Sequence, residues 1–528
     1  MDLKRYRWPL IIALLQWILT TILHIDKYFF SYEGVTVFLI GVKIIYLVFL
    51  SVSWCFIANV INKLKENDQR YKRGVIIFLF YLAIMMALML FLWPGTWYWD
   101  DLGGLISISG YNSLYTWHHI LSGLYQDVLL QILPFPGGII LLQNIIISIC
   151  VAAIVTGLEE VFEIGRISLF LLDIFVKIIP FLLPPVLMYQ FSGYRMGLYI
   201  YLELLIIVKL LEYYNSQMKL SWENILLICF LVVVVSTWRT ESFLYIPIVC
   251  ILILKKKNQL SIVKKGIVVF LILLGFCTVN KCQNILLGNE NYKMISLLGP
   301  GAELVRAADP TEDATELESM DKVTDLSIIY DNPTLGGEAL YWGVCCVREG
   351  YTEDDYNNYL KALIKLSLKY PKAVINERLS IFKISSGVTG YTVNNIDTAI
   401  IFDENGINAK QSCVMSMGLI GYKPIFHDAR RAFIYLLGGK NPKGEPIKWS
   451  QLLIWNASIP ILALVFAWIR SIVKRKWFYW SLISLILTKL IIVILTEPAG
   501  WFMYLLSFYL IGYVYLVYAV LYRYKRIR

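Results

Sequence analysis

Residues 74–101 read GVIIFLFYLAIMMALMLFLWPGTWYWDD, and this stretch sets the class of the protein. Its first part, Gly74 to Leu92, is a run of about twenty uncharged, apolar residues, enough to carry a helix through the hydrocarbon of a bilayer. Trp93, Trp97, Tyr98 and Trp99 follow, suited to the headgroup level where amphipathic rings collect. Asp100 and Asp101 then stand side by side just past the span. His118 and His119, two of the four histidines in the chain, close the aromatic-rich loop before Ile120. Acids and imidazoles at a membrane surface are costly unless they are solvated, paired or used.

The rest of the chain agrees with a membrane setting. Its 528 residues are 58% hydrophobic and 16% charged, with mean hydropathy +0.63. Soluble domains carry about 25% charged residues. The expected fold is an all-α polytopic membrane protein with about 12 transmembrane helices. They fall near residues 8–25, 35–61, 74–93, 136–157, 167–190, 197–214, 223–239, 241–254, 266–285, 451–470, 477–495 and 500–521. The eighth is short and could instead form a re-entrant pair with the seventh. The first run is too long for a signal-peptide core and no small-residue cleavage site follows it, so it reads as a retained helix. Residues 121–133 are expected to lie along the interface.

Basic residues orient the spans. Lys4, Arg5 and Arg7 precede the first; Lys63, Lys65, Arg70, Lys72 and Arg73 separate the second and third. Further clusters lie at 255–257 with Lys264 and Lys265, at 474–476 and at 523–528. With twelve spans all fall on one side, which the positive-inside rule makes cytoplasmic. Both termini are then cytoplasmic in a multi-pass cell-membrane protein, and the net charge of +10 reflects topology rather than a nucleic-acid partner. Residues 1–285 form an N-terminal transmembrane domain of about nine helices, with an external loop at 93–133. Residues 286–449 form an extracytoplasmic domain, α-rich or α+β, and 450–528 supply about three C-terminal helices. Within the external domain, 351–368 has helical spacing and 371–387 is amphipathic.

The nine cysteines give no disulfide framework. Cys55, Cys150, Cys229, Cys250 and Cys277 fall in apolar spans as small hydrophobes. A bridge from Cys345 or Cys346 to Cys282 or Cys413 stays open. Metal-binding CxxC and HExxH, the Walker loop and GxGxxG are all absent.

Asp100 or Asp101 is suited to accept a proton from an incoming hydroxyl; the plain alternative is a solvated loop acid or a helix cap. His118 and His119 suit phosphate binding or acceptor positioning, or merely interfacial hydrogen bonding. Arg239 and Glu241, in STWRTESF, sit at the outer junction of the seventh and eighth spans. There Arg239 could fork onto a lipid phosphate, or simply pair with Glu241. Arg195, in FSGYRMG, is on the same side. Lys43, Asp173, Lys177, Glu203 and Lys489 fall inside spans. Asp173 and Lys177 share a helix face at i, i+4 and neutralise each other, Lys43 snorkels, and Lys489 best suits a cavity facing the outer leaflet.

WPGTWYWD followed by GYNSLYTWHH resembles the first large external loop of polytopic GT-C-fold glycosyltransferases. It is similar to a bacterial group whose loop carries Pro-Gly, four residues, Asp, then Gln, and later Trp-His-Pro. On that resemblance Asp100 takes the place of the family acid and His118 that of its histidine. The chain departs from it at His119, where proline is usual, and near Gly104, where glutamine is common. STWRTESF resembles the Arg-containing outer turn of such proteins, and YPKAVINERLSIF an external amphipathic helix. TEPAGWFMYLLSFY resembles a terminal motif in which Met503 replaces an arginine.

The resemblance implies a polyprenyl-phosphate-linked sugar as donor and a glycan or cell-envelope polymer as acceptor. Asp100, or Asp101, would act as general base in an inverting transfer, with substrate contacts from His118, His119, Arg239, Glu241 and Lys489. Adjacent acids could ligate a divalent metal, as in some GT-C oligosaccharyltransferases, but a carboxylate pair alone is weak evidence for one, and no cofactor is expected. Two other readings stand beside this one. A lipid-linked polysaccharide polymerase or ligase shares the chemistry. A transporter or flippase needs none, but there is no inverted repeat to support it.

Overall fold

The computed structural model describes residues 3–23, 25, 37–98, 100–101, 104–105, 119–164, 170–193, 195–215, 222–255, 261–287, 291–390 and 424–527. Every regular element among them is helical. Two isolated bridges, Thr324 with Val347 and Lys440 with Pro446, are the β pairings described. Among the described residues, seven helices are long and apolar enough to cross a bilayer: Ile40–Lys65, Gln69–Leu92, Pro136–Val161, Ile262–Ile285, Lys448–Val473, Trp477–Thr496 and Phe502–Tyr524. An eighth span results if Phe170–Leu182 and Pro184–Gln190 are taken as one, bent by 71°. Pro180, Pro184 and Pro185 explain that bend, since each lacks an amide donor.

The other expected spans are helices of a different kind. Tyr6–Ile22 and Asn224–Trp238 are apolar but shorter. Tyr245–Lys255 has 11 residues. Met196–Asn215 carries Glu203, Lys209 and Glu212, yet nearly every residue in it is buried. A helix surrounded by protein can hold charge where a lipid-facing one cannot, provided partners are supplied.

In chain order the elements that position the sites are α1 (Gln69–Leu92), α2 (Ile120–Ile132), α3 (Pro136–Val161), α4 (Phe170–Ile178) and α5 (Pro184–Gln190). Next come α6 (Met196–Asn215), α7 (Ile295–Ala307), α8 (Gly337–Trp342), α9 (Glu353–Lys369) and α10 (Pro371–Ser385). The last are α11 (His427–Leu437), α12 (Ser458–Val473), α13 (Trp477–Thr496) and α14 (Leu506–Ile527).

One hydrophobic core runs through the bundle, with α6 at its centre. A second core, from Met294 to Leu366, belongs to the inserted region. The helix expected at 351–368 forms as α9, where Thr352 and Asp355 make a reciprocal capping box. The amphipathic stretch at 371–387 forms α10, which lies against α13 and the short turn Phe502–Leu505 that precedes α14. Cys282, Cys345 and Cys346 are free thiols; Cys413 lies outside the described residues.

Asp173 and Lys177 do share a face and meet at 2.8 Å. Arg73 of α1 and Glu159 of α3 complete the group. Glu159 lies 2.8 Å from Arg73 and 2.7 Å from Lys177, and Arg73 also pairs with Asp173. These charges mark one end of the bundle, the basic end. The Asp100 loop and the inserted region lie at the other, the loop end.

Candidate functional site

The two adjacent acids have different surroundings. The Asp101 carboxylate is 1% exposed. Its Oδ2 accepts from the Ser192 hydroxyl and, at 3.2 Å, from the Tyr98 amide, so Asp101 ties its own loop to the turn after α5. Asp100 points outward and is exposed.

The loop is held on several sides. Thr96 donates its amide to Phe191 O at 2.7 Å and its hydroxyl to Met188 O at 2.7 Å. From α11, the fully buried Arg430 reaches Gly95 O at 2.6 Å. Gly95 has φ +120°, and a Cβ there would sit 2.7 Å from both Ile140 and Phe191 O. The Pro-Gly step therefore needs its glycine for conformation and for close approach.

Glu338 of α8 is the residue that sequence reading missed. Trp501 Nε1 donates to its two carboxylate oxygens at 3.0 and 2.9 Å. Burial lifts the Glu338 carboxyl above the usual range; the Trp501 bond opposes that rise, and the neighbouring Asp100 charge adds to it. Two carboxylates from regions far apart in sequence thus come near enough at the loop end to interact electrostatically. Gly337 makes the approach possible, since a Cβ there would lie 2.6 Å from Gly299 N of α7. Only the long-range fold brings Glu338 to Asp100; the local sequence GGEALYW carries no motif that announces it.

Below this surface lies a buried charged layer. Arg239 pairs with Glu241, contacts Met196 Sδ at 2.8 Å, and lies 5.6 Å from the Tyr504 ring. Lys489 reaches Glu203 at 2.7 Å and Tyr199 OH at 2.9 Å, and Tyr245 OH donates to the same Glu203 oxygen at 2.8 Å. Arg239, Glu241 and Lys489 are thus brought together in one electrostatically compensated group. The turn Trp501–Tyr504 connects this layer to the surface acids, with Trp501 on Glu338 and Tyr504 under Arg239.

His119 caps α2, its Nδ1 accepting from the Leu121 amide at 3.3 Å. Burial, then the nearby Arg195, lower its pKa to about 4, so the ring is neutral near pH 7 and carries its proton on Nε2. That Nε2 has no hydrogen-bond partner among the described residues. Arg195 is half-buried, three residues past Ser192, and makes no ion pair among the described residues. Arg195 is thus a cation beside the acid loop with no carboxylate partner among the described residues. His118 lies outside the described residues.

Further along the same end, Glu497 is 1% exposed. Its Oε1 accepts from Ser385 Oγ at 3.1 Å, and its backbone carbonyl accepts from Arg378 at 2.8 Å. Among the described residues no group of three or more His, Cys, Asp and Glu is placed to hold a metal ion.

The fold defines a class, a helical multi-pass membrane protein. Comparison of the chain with protein-family models, curated proteins and solved structures finds no match.

Proposed function

We propose that the protein is a membrane glycosyltransferase that takes a sugar from a polyprenyl-phosphate carrier and transfers it, with inversion, to a hydroxyl of a cell-surface glycan or polymer on the external face. The observation that carries this reading is the exposed Asp100 beside Glu338 at the loop end, above a compensated Arg239–Glu241–Lys489 layer. The likeness of WPGTWYWD and GYNSLYTWHH to GT-C loops agrees with it.

Asp100 is the general base in this proposal, because Asp101 is enclosed and engaged with Ser192 and Tyr98. The acceptor hydroxyl gives its proton to Asp100 as its oxygen attacks the anomeric carbon. The bond from that carbon to the carrier phosphate oxygen breaks, and its electron pair leaves with the phosphate. Since that leaving group is already a stable anion, fixed positive charge serves better than a strong acid. Arg239 and Lys489 are held by carboxylates, so Arg195, with the Nε2–H of His119, is assigned the phosphate. Glu338 orients the acceptor.

The test measures free polyprenyl phosphate released by the purified protein in lipid from a panel of polyprenyl-phosphate sugars, with extracted cell-surface polymer as acceptor. Wild type is run beside Asp100→Asn and Asp101→Asn. Turnover lost in Asp100→Asn with an unchanged melting temperature is expected. Equal turnover in all three would remove the acid–base mechanism, and failure of every donor would favour lipid-linked oligosaccharides or transport.

A further inference from the structure

A cavity of about 620 Å³ opens at the basic end, between α3, α6, α12, α13 and α14. Its inner wall is apolar, reaching Leu204 on α6, Leu464 on α12 and Ile486 on α13. Its mouth carries Arg470, Lys474, Lys476 and Arg523 against one carboxylate, Glu163. Lys474, Lys476 and Arg523 are exposed, and none of the four cations makes an ion pair among the described residues. Arg70, Arg73, Lys177 and Lys209 at the same end are each held by a carboxylate.

The depth of the cavity matches a membrane leaflet. Leu464 to Lys474, and Lys476 to Ile486, each cover ten residues of helix, or about 15 Å. Half of a bilayer's hydrocarbon core is also about 15 Å. An apolar slot of that depth, rimmed by free cations, fits an acyl chain below an anionic headgroup. A free anion would leave the apolar wall unused, and a neutral lipid would leave the cations unused.

We propose that this cavity binds a membrane lipid with an anionic phosphate headgroup, one acyl chain lying in the slot and the phosphate among Arg470, Lys474, Lys476 and Arg523. The site is separate from the acid loop and does not depend on the proposed transfer activity. Basic clusters at helix ends gain from anionic lipid through each charge brought to the phosphate.

The full chain, transferred to micelles containing equal amounts of phosphatidylglycerol and phosphatidylcholine, is examined by native mass spectrometry. Wild type should retain phosphatidylglycerol at least ten-fold in preference. The double variant Lys474→Gln/Lys476→Gln should reduce that preference several-fold, toward equal retention of the two lipids. Ile483→Trp, which fills the lining from α13, should abolish retention while leaving the rim charges intact. Equal retention of the two lipids by wild type would overturn the proposal without recourse to any variant. So would a preference unchanged in the double variant, or retention unchanged in Ile483→Trp. Melting temperatures identify a variant that fails to fold, and in that event the wild-type competition decides.

Discussion

At the basic end of the bundle, Arg73, Glu159, Asp173 and Lys177 close on one another across three helices, two cations against two acids. At the loop end, Asp100 faces outward near a second acid, Glu338, and Arg195 has no carboxylate of its own. The first group offers little to a ligand, because its charges already answer each other. The second has an exposed carboxylate, a carboxyl lifted by burial and a cation with no carboxylate partner among the described residues. Compensation and exposure together distinguish the two groups: Asp101 and Asp173 are equally enclosed and engaged, whereas Asp100 is open.

The sharpest way to break this contrast is to neutralise one acid in each group. Asp100→Asn should lower turnover by about 10²–10⁴-fold and leave the melting temperature in lipid unchanged. Asp173→Asn should do the reverse. It strands part of the charge on Arg73 and Lys177 and costs roughly 3–5 kcal/mol of stability, while molecules that remain folded keep their turnover. Thermal unfolding and donor turnover measured on both variants settle the matter. Equal loss of stability in the two would show that Asp100 is structural as well.

Arg195 comes next. Replacement by Gln should cut turnover by about 10²-fold, and Lys should restore part of it, since charge matters more than the forked shape if the target is a single phosphate. The same replacement at Arg239 should act mainly on stability, through the Glu241 carboxylate it leaves unpaired. If Arg239→Gln proves the more damaging to turnover in well-folded protein, the assignment of the phosphate to Arg195 fails.

The membrane class was legible in the sequence because apolar length is a local property. Gly74 to Leu92 announces a span whatever surrounds it. The i, i+4 pairing of Asp173 with Lys177 was legible for the same reason. What is not local was hidden. Met196–Asn215 carries charge because Lys489 and Tyr245 come to Glu203 from elsewhere in the chain. Asp100 and Asp101 are neighbours in sequence, yet Asp101 is buried against Ser192 while Asp100 is exposed. Glu338 belongs to the site only because Gly337 lets α8 close on α7 and Trp501 arrives from the far end of the chain.

Glu497 gives a smaller effect with a definite sign. Burial raises its pKa to about 8, against the weaker opposing pull of Ser385 and Arg378. Folding therefore favours the protonated form. Stability is full below the ordinary carboxylate range and declines as pH rises through about 8, by at most about 1.4 kcal/mol per pH unit. Glu497→Gln should remove that decline, flattening the melting temperature between pH 5 and 8. A decline that persists unchanged in the variant would place its origin elsewhere.

His119 should give the smallest effect. Its ring is favoured neutral in the fold, so stability is intact above the ordinary imidazole range and is lost as pH falls toward about 4. Near pH 7 the contribution reduces to a helix cap. His119→Ala should then cost about 0.5–2 kcal/mol, toward the lower end because the cap bond is long at 3.3 Å. His119→Asn restores an acceptor at the cap and should recover most of that stability. It does not restore an N–H in the place of Nε2, so turnover in His119→Asn should stay below wild type if that group faces the carrier phosphate. Full turnover in His119→Asn would leave the histidine with its cap alone, and Arg195 with the phosphate to itself.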